Sequence, residues 1–131
     1  MTQWKWVSRQ VIEAVHERQI AEHGGAIGLR DENAQESALA RPVNLSLYGE
    51  PDAAELAAAL AFGLAKNHPF VDGNKRTGFV IGILFLELNG YRFSASEETA
   101  AQAVIDLAAG KLNEAQYAAF LRANSKPAKS K

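Results

Sequence analysis

Two apolar segments separated by a short polar one constrain the fold of this chain more than any other feature. Residues 53–67 read "AAELAAALAFGLAKN", and Asp52 before them begins a capping-box pattern, so a strong helix is predicted. Residues 77–90 read "TGFVIGILFLELNG", which is apolar nearly all round and is typical of a buried central helix. Gly78 and Gly82 lie four residues apart in it, a spacing that favours close helix packing. The polar segment therefore lies between two core helices.

Four other segments predict helices, because each combines a capping residue with apolar residues at helical spacing. The capping residues are Ser8, Asp31, Ser96 and Asn113. Apolar residues make up 47% of the chain and aromatic residues only 8%, and strand patterns are scarce. We therefore predict an all-α fold, a compact bundle of about six helices with the polar segment in a loop between two core helices.

A proline sets the predicted end of the second helix. Pro42 should stop this helix near Ala40, since proline lacks the backbone N–H that a helix interior needs. Residues 41–52 are then irregular, with a short extended piece around Val43–Leu47. We expect residues 43–51 to form a lid, a docking edge for a protein substrate or a plain connector.

Length, charge and cysteine content limit the functional classes. At 131 residues the chain is expected to form one domain, residues 1–124, followed by a basic disordered tail, residues 125–131. The net charge of −1 gives no sign of direct nucleic-acid or membrane binding. No apolar segment resembles a signal peptide or a membrane span. Because cysteine is absent, disulfides and thiolate metal sites are excluded, and a reducing cytoplasm is the natural setting.

The polar segment, "HPFVDGNKRTG" at 68–78, has the composition of an anion-binding loop. The letters "GNKR" fall just before the second apolar helix, so they should form the loop that leads into its N-terminus. A helix N-terminus has unpaired N–H groups and the positive end of the helix dipole. Gly73 has no Cβ and lets the backbone approach a ligand closely. Together these features predict a phosphate-type nest.

The side chains of the segment add the other parts of a phosphoryl-transfer site. Lys75 and Arg76 supply positive charge, and Arg76 can grip two phosphate oxygens. Asp72 offers one carboxylate, and a carboxylate together with phosphate oxygens is the usual way to hold Mg²⁺. Histidine can act as a general base, so His68 can accept a proton from a hydroxyl. Phosphoryl transfer depends mainly on such positioning and charge stabilisation.

An ordinary turn accounts for the same residues. A single histidine between helices is often structural, "DGNK" is a common turn sequence, and Lys75 and Arg76 can be plain surface charge. However, cations are unfavourable at a helix N-terminus because the dipole repels them. A bound anion would remove this conflict, and such a local inconsistency is typical of functional sites.

The nine residues "HPFVDGNKR" at 68–76 resemble the signature of the Fic/Doc family, and specifically of its Doc, or death-on-curing, branch. The signature is His, any residue, Phe, any residue, an acid or Asn, Gly or Ala, Asn, Lys, Arg, and every fixed position is met. The resemblance extends from about Ser8 to Phe120 and includes "HGGAIGLRD" at 23–31 and "FLELNG" at 85–90. The family fold, a compact helical bundle with the motif between two core helices, agrees with the predicted fold.

The resemblance implies a role for each matching residue. His68 would be the general base on the target hydroxyl, and Asp72 would bind Mg²⁺. Arg76 would act in catalysis by holding phosphate. The implied cofactor-binding residues, for ATP, are Gly73, Asn74 and Lys75, which form the anion hole, and Arg76.

Two positions differ from ordinary Fic enzymes, which transfer AMP. Those enzymes have Gly where this chain has Lys75 and a second Arg where it has Phe79. The Doc branch implies transfer of the terminal phosphate of ATP to a threonine of elongation factor Tu, which stops translation. A small antitoxin protein would neutralise the toxin by docking over the active-site region. An AMP transferase of the Fic type and an inactive nucleotide-binding or partner-binding module are the alternatives.

Other residues receive structural interpretations. His16 lies mid-helix among charged residues and is predicted to be at the surface or half-buried. His23 is predicted to interact with the end of its helix, and neither histidine has the neighbours that a zinc site requires. Trp4 and Trp6 are expected to cover the edge of the core, with an interface role as the alternative.

Overall fold

A computed structural model describes residues 3–128, which form six α-helices and a two-stranded antiparallel sheet. The predicted all-α bundle is confirmed. None of the helices in this part of the chain is long and apolar enough to cross a membrane. In chain order the elements are α1 Arg9–His23, α2 Glu32–Tyr48, α3 Ala53–Asn67, α4 Asn74–Leu88, β1 Tyr91–Phe93, α5 Glu97–Ala109, α6 Glu114–Ala123 and β2 Ser125–Pro127.

Helix α3 is the centre of the fold and is buried along most of its length, with Leu56, Leu60 and Leu64 almost inaccessible to solvent. Helix α4 lies against it at short range because its glycines leave room. A Cβ atom on Gly78 would lie 3.0 Å from the carbonyl oxygen of Ala61, and one on Gly82 would lie 3.4 Å from that of Ala57. The predicted role of these two glycines in close helix packing is confirmed.

The predicted helix starts are confirmed by the capping contacts. The side chains of Ser8, Asp31, Ser96 and Asn113 each accept a hydrogen bond from a main-chain N–H three residues later. Such caps satisfy N–H groups that the helix itself cannot pair. The starts of these four helices were therefore predictable from local sequence.

The predicted end of α2 is wrong. The helix continues through Pro42 to Tyr48, so residues 41–48 are helical and only a short connection leads to α3. Gln35, Ala38 and Pro42 form a buried stripe on α2, and a Cβ atom on Gly63 of α3 would lie 2.9 Å from the Cα of Ala38. A proline inside a helix costs about 3 kcal/mol. The close packing of α2 against α3 offsets this cost, whereas the prediction from local sequence considered the cost alone.

The C-terminal segment differs from the predicted disordered tail in its first residues. Ser125–Pro127 form β2, which pairs with β1 in the register Phe93 to Ser125 and Tyr91 to Pro127. The main-chain N–H of Ala128 donates to the carbonyl of Gly90 at 2.7 Å and continues this pairing. The edge of β1 thus orders the segment, while residues 129–131 lie outside the described part of the chain.

The N-terminal tryptophans cover the edge of the core, as predicted. The ring centroids of Trp4 and Trp6 lie 6.1 Å and 5.7 Å from that of Phe85 on α4. The segment is held by Asn89, whose side chain accepts from the main-chain N–H of Lys5 at 2.9 Å and donates to its carbonyl at 3.0 Å. This end of α4 is therefore closed by protein, in contrast to its N-terminus.

Candidate active site

The polar segment connects the C-terminus of α3 to the N-terminus of α4. Its last part differs from the prediction, because the letters "NKR" form the first turn of α4 rather than a loop before it. Gly73 precedes this turn with φ +76°, in the left-handed region that glycine favours. The N–H of Thr77 donates to the carbonyl of Gly73 at 3.0 Å and closes the first helical turn. The helix therefore begins as early as Asn74. We call residues 68–73 the motif loop.

His68 stands at the start of the motif loop in a strained conformation. With φ 51° and ψ 56° it is left-handed, and no other non-glycine residue between 3 and 128 has a positive φ. Such a conformation costs about 1–2 kcal/mol for an L-residue and requires support from its surroundings. The side chain of His68 is exposed, so the imidazole is accessible to an incoming hydroxyl.

Arg30 supplies that support, and no role in the site was predicted for it. Its Nε donates to the carbonyl of His68 at 2.6 Å, and its Nη2 donates to the carbonyl of Asn67 at 2.9 Å. The guanidinium thus pairs carbonyls at the C-terminus of α3, where a cation is also favoured by the helix dipole. Its position next to Asp31, a predicted cap, gave no sign of this contact across the fold.

A second chain segment runs beside the motif loop and fixes its path. The main-chain N–H groups of Arg30 and Asp31 donate to the carbonyl of Pro69 at 2.7 Å and 3.0 Å. The N–H of Val71 donates in turn to the carbonyl of Gly28 at 3.0 Å. The motif loop is therefore held on this side by main-chain bonds.

The carboxylate of Asp72 is exposed at the end of the motif loop and is oriented by main-chain donors. Its Oδ1 accepts from the N–H of Gly73 at 2.8 Å, and its Oδ2 accepts from the N–H of Ala26 at 3.3 Å. A Cβ atom on Gly25 would lie only 2.8 Å from Oδ2, so this approach needs glycine. These two hydrogen bonds fix the direction of the Asp72 carboxylate.

The donor set around Asp72 fits Mg²⁺ held jointly with phosphate. Within residues 3–128 no three acidic or histidine side chains cluster as a protein-only metal site. Mg²⁺ usually keeps waters and takes one or two carboxylates together with substrate phosphates. A single exposed carboxylate beside an anion-binding helix N-terminus satisfies that requirement.

The N-terminus of α4 is open. Gly73 provides no side-chain cap, and in the described part of the chain the N–H groups of Asn74, Lys75 and Arg76 have no hydrogen-bond partner. The side chains of Lys75 and Arg76 are exposed, and neither lies within 4.0 Å of a carboxylate described by the structure. Three free donors, the helix dipole and two cations therefore meet at one point, which suits a phosphate group.

Asn74 has a more specific position than an anion-hole residue requires. It is buried, its Oδ1 accepts from the main-chain N–H of Phe70 at 2.9 Å, and its Nδ2 donates to the carbonyl of Phe70 at 3.0 Å. The side chain therefore holds the middle of the motif loop. Only its main-chain N–H faces the helix N-terminus.

The prediction that His16 lies at the surface or is half-buried is wrong. His16 is only 2% exposed, and its Nε2 lies 2.8 Å from the carbonyl oxygen of Asp72. Its ring stacks on Phe70 with centroids 3.8 Å apart and planes 7° apart. The prediction relied on the charged residues next to His16 in sequence. However, His16 shares a helix face with buried Ile12 and Ile20, four residues away on either side. That spacing was the available signal.

All six predicted site residues line one open cleft of about 320 Å³. Phe79 lies outside this cleft and packs edge to face with Phe93. Its phenyl ring is uncharged, so it adds no charge to the cleft. His23 lies at the exposed end of α1 beside Glu22. The cleft is lined by His68, Val71, Asp72, Gly73, Asn74, Lys75 and Arg76.

Sequence comparisons match this chain to a protein family and to relatives in it. The model of the Fic/DOC family matches residues 6–86. The chain is 41% identical over 75 residues to "Toxin Doc" of Mycolicibacterium smegmatis, covering 55% of this chain and 57% of that protein, so it spans little more than half of that relative. It is also 31% identical over 117 residues to "Protein kinase doc" of Escherichia phage P1, covering 88% of this chain and 92% of that protein.

Proposed function

Because the chain belongs to the Fic/DOC family, in its Doc branch, we propose that it is the toxin of a toxin–antitoxin pair and transfers phosphate from ATP to a protein. The observation that carries the proposal is the open N-terminus of α4, with Lys75 and Arg76 in its first turn and the Asp72 carboxylate and the exposed His68 in the same cleft. The names of the two relatives support both parts of the proposal.

Five residues of the cleft have roles in binding ATP. Phosphate oxygens bind at the αL turn of Gly73. They accept hydrogen bonds from the N–H groups of Asn74, Lys75 and Arg76. Arg76 pairs with two of these oxygens, and Lys75 adds a point charge. Asp72 would hold Mg²⁺, which when bound neutralises charge on the phosphate oxygens.

His68 acts as the general base. The hydroxyl oxygen of the target side chain forms a bond to the γ-phosphorus, and the bond from that phosphorus to the bridging oxygen of ADP breaks. The hydroxyl proton passes to the His68 imidazole, and ADP leaves. The bidentate contact of Arg30 with the carbonyls of Asn67 and His68 keeps the base at the edge of the cleft. Positioning of this kind supplies much of the catalysis in phosphoryl transfer.

The choice of the γ-phosphate over AMP rests on Lys75 and Phe79. Lys75 places a long cationic side chain at the turn where an anion hole built on glycine would accept inner phosphates close to the backbone. Phe79 packs against Phe93 and has no charge to hold terminal phosphates away from the hydroxyl. ATP should therefore bind with its γ-phosphate facing His68.

The target and the partner follow from the resemblance alone. We propose that the target is a threonine of elongation factor Tu, that its phosphorylation blocks translation, and that a small antitoxin protein neutralises the toxin. A target of this kind places the protein in the cytoplasm.

Labelled ATP tests the reaction directly. The purified protein is incubated with Mg²⁺, elongation factor Tu and ATP labelled at either the α or the γ phosphate. The γ label alone should enter the target, and the modified threonine should gain the mass of one phosphate. Incorporation of the α label would establish AMP transfer instead, and ATP binding without transfer of either label to any protein of a bacterial lysate would leave a binding module.

Expression in bacteria tests the toxin. The wild type should stop growth through a fall in protein synthesis, whereas the His68→Ala variant, produced at the same level, should not. Co-expression of the antitoxin encoded beside it should restore growth. Normal protein synthesis in cells that contain folded wild type would contradict the proposal.

A further inference from the structure

We propose that His16, which lies outside the motif and 56 residues before Asp72 in sequence, is a positioning residue for the site. It sets the peptide between Asp72 and Gly73 and thereby the direction of the Asp72 carboxylate and the start of α4. This inference rests on the proposed function for its catalytic consequence, while its structural part can be tested separately.

The first observation is a hydrogen bond with one possible direction. The Nε2 of His16 lies 2.8 Å from the main-chain oxygen of Asp72. A carbonyl oxygen can only accept, so Nε2 carries the proton and donates. The donor comes from α1, and the acceptor is the last carbonyl of the motif loop before Gly73. The bond therefore ties the loop to a helix 56 residues away in sequence.

The second observation is the burial of the ring. His16 is 2% exposed and lies flat on Phe70, with 3.8 Å between ring centroids. The main chain of Phe70 is held in turn by the Asn74 side chain through two hydrogen bonds. His16 is thus fixed on both sides, by α1 and by the motif loop, so its Nε2 has little freedom to leave the Asp72 carbonyl.

The third observation is what the Asp72–Gly73 peptide controls. The N–H of Gly73 belongs to the same peptide as the Asp72 carbonyl and donates to Asp72 Oδ1 at 2.8 Å. Rotation of this peptide would move donor and carbonyl together and release the carboxylate. It would also change the left-handed turn at Gly73 from which the free N–H groups of α4 begin.

Helix α1 forms the surface on which this turn lies. A Cβ atom on Gly73 would be 3.1 Å from Cδ1 of Ile20 and 3.8 Å from the His16 ring. His16 and Ile20 are one helical turn apart on the same face of α1. Ile20 therefore holds the turn by packing against Gly73, and His16 holds it by its hydrogen bond to the Asp72 carbonyl.

A histidine serving only to fill the core would not need its polar nitrogen at this place. A phenylalanine could fill similar space and stack on Phe70, but it would leave the Asp72 carbonyl without this donor. A glutamine would lose the stacking, but its Nε2 can donate to the same carbonyl. The two substitutions separate the donor from the ring.

The test compares His16→Phe and His16→Gln with Ile12→Val, a core change one turn away on α1. Residues that orient a metal ligand typically contribute about 10–100-fold to metal affinity or activity. His16→Phe should lower phosphate transfer by about that factor and raise the Mg²⁺ concentration for half-maximal rate. His16→Gln should recover most of the loss. Ile12→Val should lower stability and leave transfer per folded molecule unchanged.

Two measurements do not depend on activity. Amide hydrogen exchange of Gly73 should be faster in His16→Phe than in the wild type and in His16→Gln. The ¹⁵N spectrum of labelled wild type should show the His16 tautomer with the proton on Nε2. Wild-type exchange at Gly73 in His16→Phe, or a proton on Nδ1 alone, would overturn the inference even if one variant failed to fold. Faster exchange together with a wild type that transfers no phosphate would leave the positioning intact and reject the proposed function.

Discussion

Helices α3 and α4 lie side by side in the core, yet their N-termini are built in opposite ways. The start of α3 is closed: Asp52 accepts from the N–H of Glu55 at 2.9 Å, and Glu55 accepts from the N–H of Asp52 at 3.2 Å. Arg122 donates to Asp52 at 2.6 Å from α6. The start of α4 has Gly73 in place of a capping side chain, and its first turn contains two cations.

Under the proposed function, the start of α3 serves stability and the start of α4 serves phosphate binding. At α3 the N–H groups and the positive dipole end meet an acid, which lowers the free energy of the folded chain. At α4 the same features face the cleft without an acidic cap and with Lys75 and Arg76 beside them, which is unfavourable until an anion binds. A protein accepts such a local conflict where ligand binding resolves it.

The largest expected effect is the loss of transfer in His68→Ala. Loss of a general base costs about 10²–10⁴ in rate. The side chain is exposed, so the variant should keep its fold, and alanine keeps the Arg30 contacts because they reach only main-chain carbonyls. Single-turnover transfer of the γ label and an unfolding curve measure the two properties. A rate near that of the wild type would remove His68 from the mechanism.

Asp72→Asn should have the next largest effect. The amide keeps the shape of the side chain but loses the charge that would hold Mg²⁺, so activity and its dependence on Mg²⁺ should fall together. A loss of about 10–100-fold is expected, by analogy with changes around metal ligands. A titration of the rate with Mg²⁺ measures it. If transfer continues in the absence of any divalent ion, Asp72 does not bind a required metal.

The closed helix end was predictable from sequence, and the supports of the open one were not. Capping residues such as Asp52 act over three positions, so their effect is visible in a short window. Arg30 and His16 act on carbonyls 38 and 56 residues away, and no local pattern encodes such pairs. The six predicted site residues were found because the motif brings them together in sequence.

The same distinction explains the error at α2. Pro42 has a local cost that any sequence rule detects, but the packing of Ala38 against Gly63 that offsets it is a property of the assembled helices. Likewise β2 exists because β1 offers it an edge, while its own sequence resembles a solvated tail. Apart from the close helix approach at Gly78 and Gly82, long-range packing is the part of the fold that the sequence did not reveal.

Asp52→Ala tests the closed end and should reduce stability without reducing transfer. Loss of an N-cap typically costs about 1 kcal/mol, and the Arg122 pair adds little because both side chains are about half exposed. Asp52 and His68 cap opposite ends of α3. They are about 24 Å apart at 1.5 Å per residue. Urea unfolding at about pH 7 measures the loss. An equal loss of transfer per folded molecule would show that the two helix ends are coupled.

Asp52→Asn adds a pH dependence with a defined sign. The hydrogen bond from Arg122 is the largest effect and lowers the pKa of Asp52. Burial raises the pKa by less than this, and the N–H of Glu55 lowers it further. A lowered pKa in the folded state stabilises the fold above the unfolded value of about 3.9, and this contribution is lost as the pH falls through the folded pKa. Asparagine keeps the cap without the charge, so the stability difference from wild type should narrow over that acidic range. A difference independent of pH would contradict the charge assignment.

The smallest expected effect concerns the open end and has the opposite sign. Lys75→Gln removes a cation from the first turn of α4, where the helix dipole repels it, and should raise the stability of the free protein by about 0.3–1 kcal/mol. The same change should weaken ATP binding, because the lost charge faces the phosphates. Lys126→Gln on β2 is the matched control, since it makes the same charge change away from any helix N-terminus. Urea unfolding at low and high salt measures the stability of the free protein, and salt screening should reduce the gain in stability. ATP titration measures the loss of binding separately. If Lys75→Gln destabilises the free protein, attraction between Lys75 and neighbouring carboxylates outweighs the dipole, and the first turn of α4 is not in conflict with its charge.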